Sequence, residues 1–151
     1  GPIFWVILDG GEDKPDAHEV YADTVDYDNY RLEQSAWLSE ILASKQRKKA
    51  KHTIVLNHIP FFHSDDWHGT LHNRFCFHDL LQKHKVDALI SGHTHKFGFY
   101  PADNDHNYPI IIGGGPKQGN RTMIEVSASG DKLNISLKKE TGELVNSFSK
   151  G

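Results

Sequence analysis

Three histidines of this chain stand where a folded protein could use them to bind metal. His58 follows the apolar run 53–56, and His93 and His95 follow the apolar run 86–90. Imidazole is the commonest metal-binding side chain in proteins. In open α/β sheets, ligands bind beyond the carboxyl ends of the strands, so two strands that end in histidine can direct them into one place. We therefore expect the three imidazoles to face a common cavity.

The spacing of the second motif, Gly92-His93-Thr94-His95, suits two ions that lie close together. In an extended segment, residues i and i+2 point to the same side. Gly92 permits a tight departure from the preceding strand. Two metals about 3.5–4 Å apart can clamp a phosphate ester, activate a bound water and stabilise the leaving oxygen. The alternative is a loop that carries two ordinary surface histidines.

The apolar runs that precede these histidines belong to a regular series of elements. Short continuous apolar runs at 3–8, 53–56 and 86–90 predict buried strands. Helices are predicted from Asp28 or Asn29 to about Lys45 and from about Asn73 to His84. This β-α-β-α-β order indicates a parallel sheet with crossover helices. The helix faces expected to be buried consist of Leu32, Ala36, Leu38, Ile41 and Leu42, and of Phe75, Phe77, Leu80 and Leu81.

After His95 the pattern changes to strands without intervening helices. Four strands are predicted, at 97–100, 108–112, 122–126 and 133–138. Turn-rich stretches separate them, which is typical of antiparallel hairpins. Residues 142–151 form either one further strand or a frayed tail. The fold class predicted is therefore α/β, with antiparallel strands at its end, in a single domain over residues 1–151.

Composition excludes several classes of function. The net charge of −3 disfavours binding to nucleic acid through charge. The single cysteine, Cys76, excludes a disulfide framework and a thiolate zinc site. No apolar run approaches the roughly 20 residues that cross a membrane. The compartment stays undetermined, and the protein is exported only if a signal peptide precedes this chain.

The histidine motifs resemble those of the calcineurin-like metallophosphoesterase superfamily. In that family one strand ends in a histidine, commonly followed one residue on by proline, as in Val55-Leu56-Asn57-His58-Ile59-Pro60. A later strand ends in Gly-His-x-His, as at residues 92–95. The Val-x-x-His form is similar to the purple acid phosphatase branch. The resemblance covers about residues 3–127 and implies the C-terminal half of an α/β/β/α sandwich.

The resemblance also implies a site and its cofactors. His58 and His93 would bind one metal ion and His95 the other, with iron, manganese or zinc as the metal and a small phosphate ester as the substrate. The family's aspartate and Asn-His motifs, and its acid–base histidine, are absent from this chain and are expected in an N-terminal half. We expect the chain alone to be nearly inactive and to self-associate through the surface that this half would cover.

Other residues carry weaker signals. Asn57 is interpreted as a group that orients His58 or as a structural cap. Asp13 and His63 lie in polar loops that would overhang the site, where they either shape substrate access or are simply solvated. The other residues of these loops considered in the same way are Asp16, His18, Asp65, Asp66 and His68. The histidines interpreted as ordinary are His52, His72, His78, His84 and His106.

Two further interpretations stay open at this stage. The glycine-rich segment 113–119 lacks the Gly-Lys-Ser/Thr ending of a phosphate-binding loop, which favours a turn. The chain as a whole could instead be a non-catalytic module that uses this fold for binding or assembly. Loss of half of the metal ligands would be natural in such a module.

Overall fold

A computed structural model describes residues 1–151 and contains two β-sheets and three α-helices. The helices are α1 Tyr27–Ala43, α2 Lys45–Lys49 and α3 His68–Lys83, with one 3-10 turn at Glu19–Tyr21. The strands of the first sheet are β1 Ile3–Leu8, β2 His52–Asn57, β3 Ala88–Ser91, β4 Gly98–Tyr100 and β5 Ile110–Ile112. The strands of the second sheet are β6 Thr122–Ser129, β7 Lys132–Lys139 and β8 Leu144–Lys150.

The first sheet aligns the carboxyl ends of its central strands. Its strand order is β1-β2-β3-β5-β4, and every pair is parallel except β4 with β5. Leu8 pairs with Asn57 and Leu56 pairs with Ile90, so β1, β2 and β3 end at nearly the same level. The residues that follow these strands therefore meet at one edge. The predicted α/β class, in which a mainly parallel sheet is followed by antiparallel strands, is confirmed.

Alternate residues of the first sheet supply two separate cores. On one face Val6, Val55 and Leu89 pack against Leu38 of α1 and Phe77 of α3. On the other face Ile54, Ala88 and Ile111 pack against the apolar side of β7. The period-two alternation of the strands thus divides the molecule into helix, sheet and sheet layers. This layering corresponds to part of the α/β/β/α sandwich that the sequence predicts.

The predicted helix faces are only partly correct. Leu38 and Leu42 are fully buried, but Leu32 is 47% exposed and Phe75 is 75% exposed. The helical spacing of apolar residues was broad enough to include positions that turn away from the sheet. Helix α3 also begins at His68, five residues before the predicted start. The sequence does not indicate this start, because the N-cap residue Trp67 makes no side-chain capping bond of the kind that a capping motif would reveal.

The first strand forms an edge of the sheet and pairs only with β2. Its side chains that face away from the helices, Trp5 and Ile7, are 46% and 72% exposed. Trp37 and Tyr30 on α1 add further apolar surface nearby, since both share a shallow depression with Ile7. The region 142–151 proves to be a strand, β8, in the second sheet. None of the helices combines the length and the hydrophobicity that crossing a bilayer requires.

Candidate metal-binding site

The ends of β2 and β3 hold His58 and His93 side by side. The backbone N–H of Gly92 donates to the carbonyl of His58 at 3.0 Å, which joins the two segments immediately after the strands end. The His58 and His93 rings lie edge to face with centroids 5.3 Å apart. A Cβ on Gly92 would lie 3.5 Å from Nδ1 of His58, which is ordinary van der Waals contact, so this position does not require glycine. These two rings lie together as expected, but the three imidazoles do not line one common cavity, because His93 and His58 line two different cavities and His95 lines neither of them.

The segment between His93 and His95 is not extended, contrary to the expectation from the i, i+2 spacing. The N–H of Thr94 donates to the carbonyl of Gly92 at 2.7 Å, which closes a three-residue turn around His93. The φ angles of His93 and His95 are 65° and 57°, in the left-handed region. A turn of this kind with positive φ at its centre is rare and strained. The histidines, and not Gly92, therefore make the sharp departure from the strand.

Backbone strain is concentrated at the candidate histidines. Six residues other than glycine have a positive φ angle, and three of these are His63, His93 and His95. Each left-handed residue with a side chain costs on the order of 1–2 kcal/mol. Such strain clusters at functional sites, where the surrounding structure holds a side chain in a required direction. His93 and His95 are two of the three metal-binding candidates of the sequence analysis, and His63 is one of its weaker loop candidates.

His95 is held by the glycine-rich segment after β5. A Cβ on Gly115 would lie only 2.7 Å from Cβ of His95, so no other residue fits at position 115 without displacing the histidine. The N–H of Gly114 donates to Oγ1 of Thr122 at 2.8 Å, which anchors this segment to the start of β6. Residues 113–119 are thus a turn between strands, and the turn supports His95.

The surroundings of His93 favour the neutral form of its imidazole. Burial of the ring lowers the pKa of His93, and the neighbouring His58 and His95 lower it further. The carboxylate of Asp13 acts in the opposite direction and raises this pKa, so it lies close enough to be felt. A neutral imidazole is the form that binds a metal ion. His93 is therefore suited to coordination down to a lower pH than an exposed histidine.

A polar cavity of about 460 Å³ opens beside His93. Lys96 contributes the only cationic side chain of its lining, and Tyr100 and Trp67 contribute the aromatic ones. A cavity of this volume accommodates a small organic ligand. The carboxylate of Asp65 also lines this cavity and opposes the ammonium group of Lys96, so the charge of the lining alone does not select an anionic ligand.

His63 lies on the rim of this cavity in a fixed orientation. Its ring stacks on Tyr100 with centroids 3.7 Å apart and 5° between the planes. Nδ1 of His106 lies 2.8 Å from the carbonyl oxygen of Tyr108, to which it donates, so Nε2 of His106 is an acceptor. When the His106 ring is neutral, Nε2 of His63 donates to that acceptor at 3.0 Å, and Oδ2 of Asp103 lies 3.5 Å from the same His106 nitrogen. His106, interpreted from the sequence as ordinary, thus orients His63.

Asn57 and Asp13 occupy different surroundings. Asn57 is buried, and its amide donates to the carbonyl of Ile59 at 2.7 Å and to Oδ1 of Asn73 at 3.1 Å. These bonds brace the turn after β2 and correspond to the structural interpretation of Asn57. The carbonyl of Asp13 accepts from the N–H of Gly69 at 2.8 Å, which places the Asp13 loop against the start of α3. Its carboxylate lies 3.1 Å from Nζ of Lys14.

The donor set fits a metal ion in its chemistry but not in its number of ligands. His58, His93 and His95 supply imidazoles, which suit iron, manganese and zinc to different degrees. Their ring nitrogens do not form a group of three within 4.8 Å, whereas two other groups in the chain do. Three imidazoles also fall short of two complete coordination shells. The three imidazoles alone therefore do not complete such a site.

The structure adds functional candidates that the sequence did not reveal. The two compact groups are Asp28 with His68 and His72, and His63 with Asp103 and His106. The i, i+4 spacing of His68 and His72 was a visible signal for the first group, but its helix was predicted to start too late. No local pattern connects His106 with His63, because their contact spans 43 residues.

Comparison with known proteins identifies the family to which this chain belongs. Residues 4–97, which include both histidine motifs, match the family described as calcineurin-like phosphoesterase. The chain is 43% identical over 63 residues to an acid phosphatase of Aspergillus ficuum, covering 42% of this chain and 10% of that protein. It is 35% identical over 87 residues to a phosphoenolpyruvate phosphatase of Allium cepa, covering 51% and 18%. The matches thus span less than a fifth of either relative.

Solved structures support the same fold. The purple acid phosphatase PPD1 from yellow lupin (Lupinus luteus) seeds superposes with a TM-score of 0.68 and 17% identity, over 99% of this chain and 31% of that chain. GAP50 of Plasmodium, described as the anchor in the inner membrane complex, superposes with a TM-score of 0.56 and 17% identity, over 99% and 49%. The chain has the fold of a purple acid phosphatase over nearly its whole length, and it belongs to the calcineurin-like phosphoesterase family.

Proposed function

We propose that this chain supplies the C-terminal part of a dinuclear metal-dependent phosphatase. The observation that carries the proposal is the pairing of His58 with His93 at adjacent strand ends, beside a cavity with a cationic side chain. In this proposal His58 and His93 hold one ion and His95 the second. Bound metal ions of this kind polarise a phosphoryl oxygen and lower the pKa of a bound water.

The remaining residues of the site bind and orient a small phosphate ester. Lys96 attracts the anionic phosphoryl group into the cavity, and Trp67 and Tyr100 enclose the organic part. His63 donates its Nε2 proton to His106 and is fixed by Tyr100, so it presents Nδ1 without rotating. Asp13 adds negative charge that acts on His93. The identity of the ester depends on all of the loops around the cavity.

The rest of the metal ligands come, in this proposal, from a preceding half of the same catalytic domain. Carboxylates are required to complete two coordination shells, and no compact group of ligand atoms in this chain joins His58, His93 or His95 to a carboxylate. The exposed edge at Trp5 and Ile7 is the surface that such a half would cover. The chain alone is therefore expected to hydrolyse phosphate esters at only a small fraction of the complete enzyme's rate, and to self-associate through this edge.

A phosphatase assay tests the proposal. The protein that carries this chain together with its preceding half is assayed on a chromogenic phosphomonoester with manganese, zinc and iron. His58→Ala and His93→Ala should each lower kcat/KM by at least about 100-fold, since loss of a ligand removes several kcal/mol of charge stabilisation. His84→Ala, at the end of α3 and outside the site, is the matched control. Full activity in both ligand variants would overturn the assignment.

The second candidate function is non-catalytic binding or assembly. It is favoured by the apolar edge at Trp5 and Ile7 and by the fold similarity to GAP50 of Plasmodium, a protein described as an anchor. The same assay separates the two. A protein with the complete domain but no phosphatase activity under any of the three metals would favour the module over the enzyme.

A further inference from the structure

A second group of metal-binding side chains lies between α1 and α3, separate from the strand-end histidines. Asp28 in the first turn of α1 faces His68 and His72 in the first turns of α3. Nε2 of His68 lies 2.8 Å from Oδ1 and 2.9 Å from Oδ2 of Asp28. Nδ1 of His72 lies 3.2 Å from Oδ1. One ligand atom from each residue therefore lies within 4.8 Å of the other two.

The helix geometry accounts for this convergence. His68 and His72 are four residues apart, so they project from the same face of α3. Their rings stack with centroids 5.5 Å apart and 13° between the planes. Two histidines with this spacing on one helix, together with a carboxylate from another element, form a recurrent zinc-binding arrangement. All three side chains are half-buried, which leaves an ion a route from solvent.

The distances are those that a bound ion needs. Zinc binds imidazole nitrogen and carboxylate oxygen at about 2.0–2.2 Å, so neighbouring ligand atoms of a tetrahedral site lie about 3.3 Å apart. The carboxylate–imidazole separations of 2.8–3.2 Å require shifts of only a few tenths of an ångström. Binding also requires the proton on Nε2 of His68, now donated to Asp28, to move to Nδ1 or to leave.

The charged groups that face the cluster leave it open to a cation. Arg31, which is fully buried, donates from Nη1 to Oδ1 of Asp28 at 2.8 Å and lies 3.5 Å from Nδ1 of His72. Oδ2 of Asp28 has no bond from Arg31 and lies 2.9 Å from Nε2 of His68, while Oδ1 keeps one bond from Arg31 and faces both histidines. The carboxylate of Asp16 accepts from the N–H groups of Tyr27 and Asp28 at 3.0 Å and adds negative charge near His72. The hydrogen bond from Arg31 orients the carboxylate, as groups around bound metals commonly do.

We propose that Asp28, His68 and His72 form a binding site for a divalent first-row metal ion such as zinc. The ion would fasten the start of α3 to α1 and so fix the loop that carries His63 and Trp67 beside the candidate active site. This site does not depend on the proposed phosphatase function, because none of its ligands belongs to the strand-end group. Cys76 lies behind the cluster, with Sγ 3.8 Å from Nε2 of His72.

Zinc titration against a chromogenic chelator tests the site. The chain is studied with His58→Ala, His93→Ala and His95→Ala combined, so that the strand-end histidines bind nothing. We expect one equivalent of zinc to bind, and His72→Gln or Asp28→Asn to weaken it at least tenfold. His84→Gln, at the end of the same helix, is the control and should bind as tightly as its parent.

Far-ultraviolet circular dichroism checks that every variant is folded. His72→Gln lies on α3 and Asp28→Asn lies on α1, so if one of these variants misfolds, the other still tests the site. Zinc should also raise the thermal midpoint of the parent and of His84→Gln, but not that of a folded Asp28→Asn variant. Unchanged affinity in both ligand variants would overturn the proposal. So would an affinity that is lost with His63→Gln instead, because the ion would then lie at the group formed with Asp103 and His106.

Discussion

Replacement of His95 by glycine should stabilise the protein while it removes a proposed metal ligand. His95 is exposed and has a φ angle of 57°, so its ring contributes little packing while its Cβ strains the backbone. A left-handed residue with a side chain costs about 1–2 kcal/mol, and glycine adds back about 0.5–1 kcal/mol of chain entropy. His95→Gly should therefore be about 0.5–1 kcal/mol more stable than His95→Ala, which keeps the strain and lacks the ring.

The adjacent position supplies the control. Lys96 is also exposed, but its φ angle is not positive. Lys96→Gly should therefore be less stable than Lys96→Ala by about 0.5–1 kcal/mol, the ordinary cost of glycine. Urea unfolding gives the four free energies, and for a chain of this length 1 kcal/mol corresponds to about 2–4 °C in thermal midpoint. If glycine proved less stable than alanine at both positions, the strain assigned to His95 would be refuted.

Three further predictions concern the supports of the site. Gly115→Ala should weaken metal binding by the complete domain, because its Cβ would lie 2.7 Å from that of His95. Gly113→Ala is the control and should bind normally, because its Cβ would have its nearest neighbours at 3.7 Å. Isothermal titration calorimetry with manganese measures both affinities. Arg31→Met should lower the unfolding free energy by about 3 kcal/mol, because it leaves Asp28 and the carbonyls of Gly10 and Glu12 without their buried donor. Urea unfolding measures this free energy, and a loss below about 0.5 kcal/mol would contradict this role. Burial lowers the pKa of His78 from its ordinary value of 6.5, so the unfolded chain binds the proton more tightly than the folded one. The unfolding free energy should therefore fall as the pH drops below about 6.5. Urea unfolding at about pH 7 and about pH 5.5 should show a smaller difference for His78→Gln than for the parent.

The fold class and the convergence of His58 and His93 could be predicted because both follow from local pattern. Apolar runs specify buried strands, and parallel strands bring their carboxyl ends to one edge. The direction of His95 could not be predicted in this way. The i, i+2 rule holds only for extended backbone, and the turn around His93 depends on a bond from Thr94 to Gly92 that the tetrapeptide alone does not specify.

Long-range contacts account for most of what the sequence left unseen. Arg31 appears in the sequence as one polar residue of a predicted helix, yet it is fully buried and donates to the carbonyls of Gly10 and Glu12, about twenty residues earlier. Phe75 was expected in the core but is exposed, because the true face of α3 is set by its contact with α1. Such features depend on which elements pack together, and periodicity within one element does not specify that choice.

The metal content of the complete catalytic domain tests the central claim most directly. The domain is purified with and without His58→Ala and His93→Ala, with His84→Ala as control, and its metal-to-protein ratio is measured by elemental analysis. Each ligand variant should lose one equivalent of metal relative to its parent, and the control should lose none. An unchanged ratio in both ligand variants would contradict the proposal that the histidines at the ends of β2 and β3 bind metal.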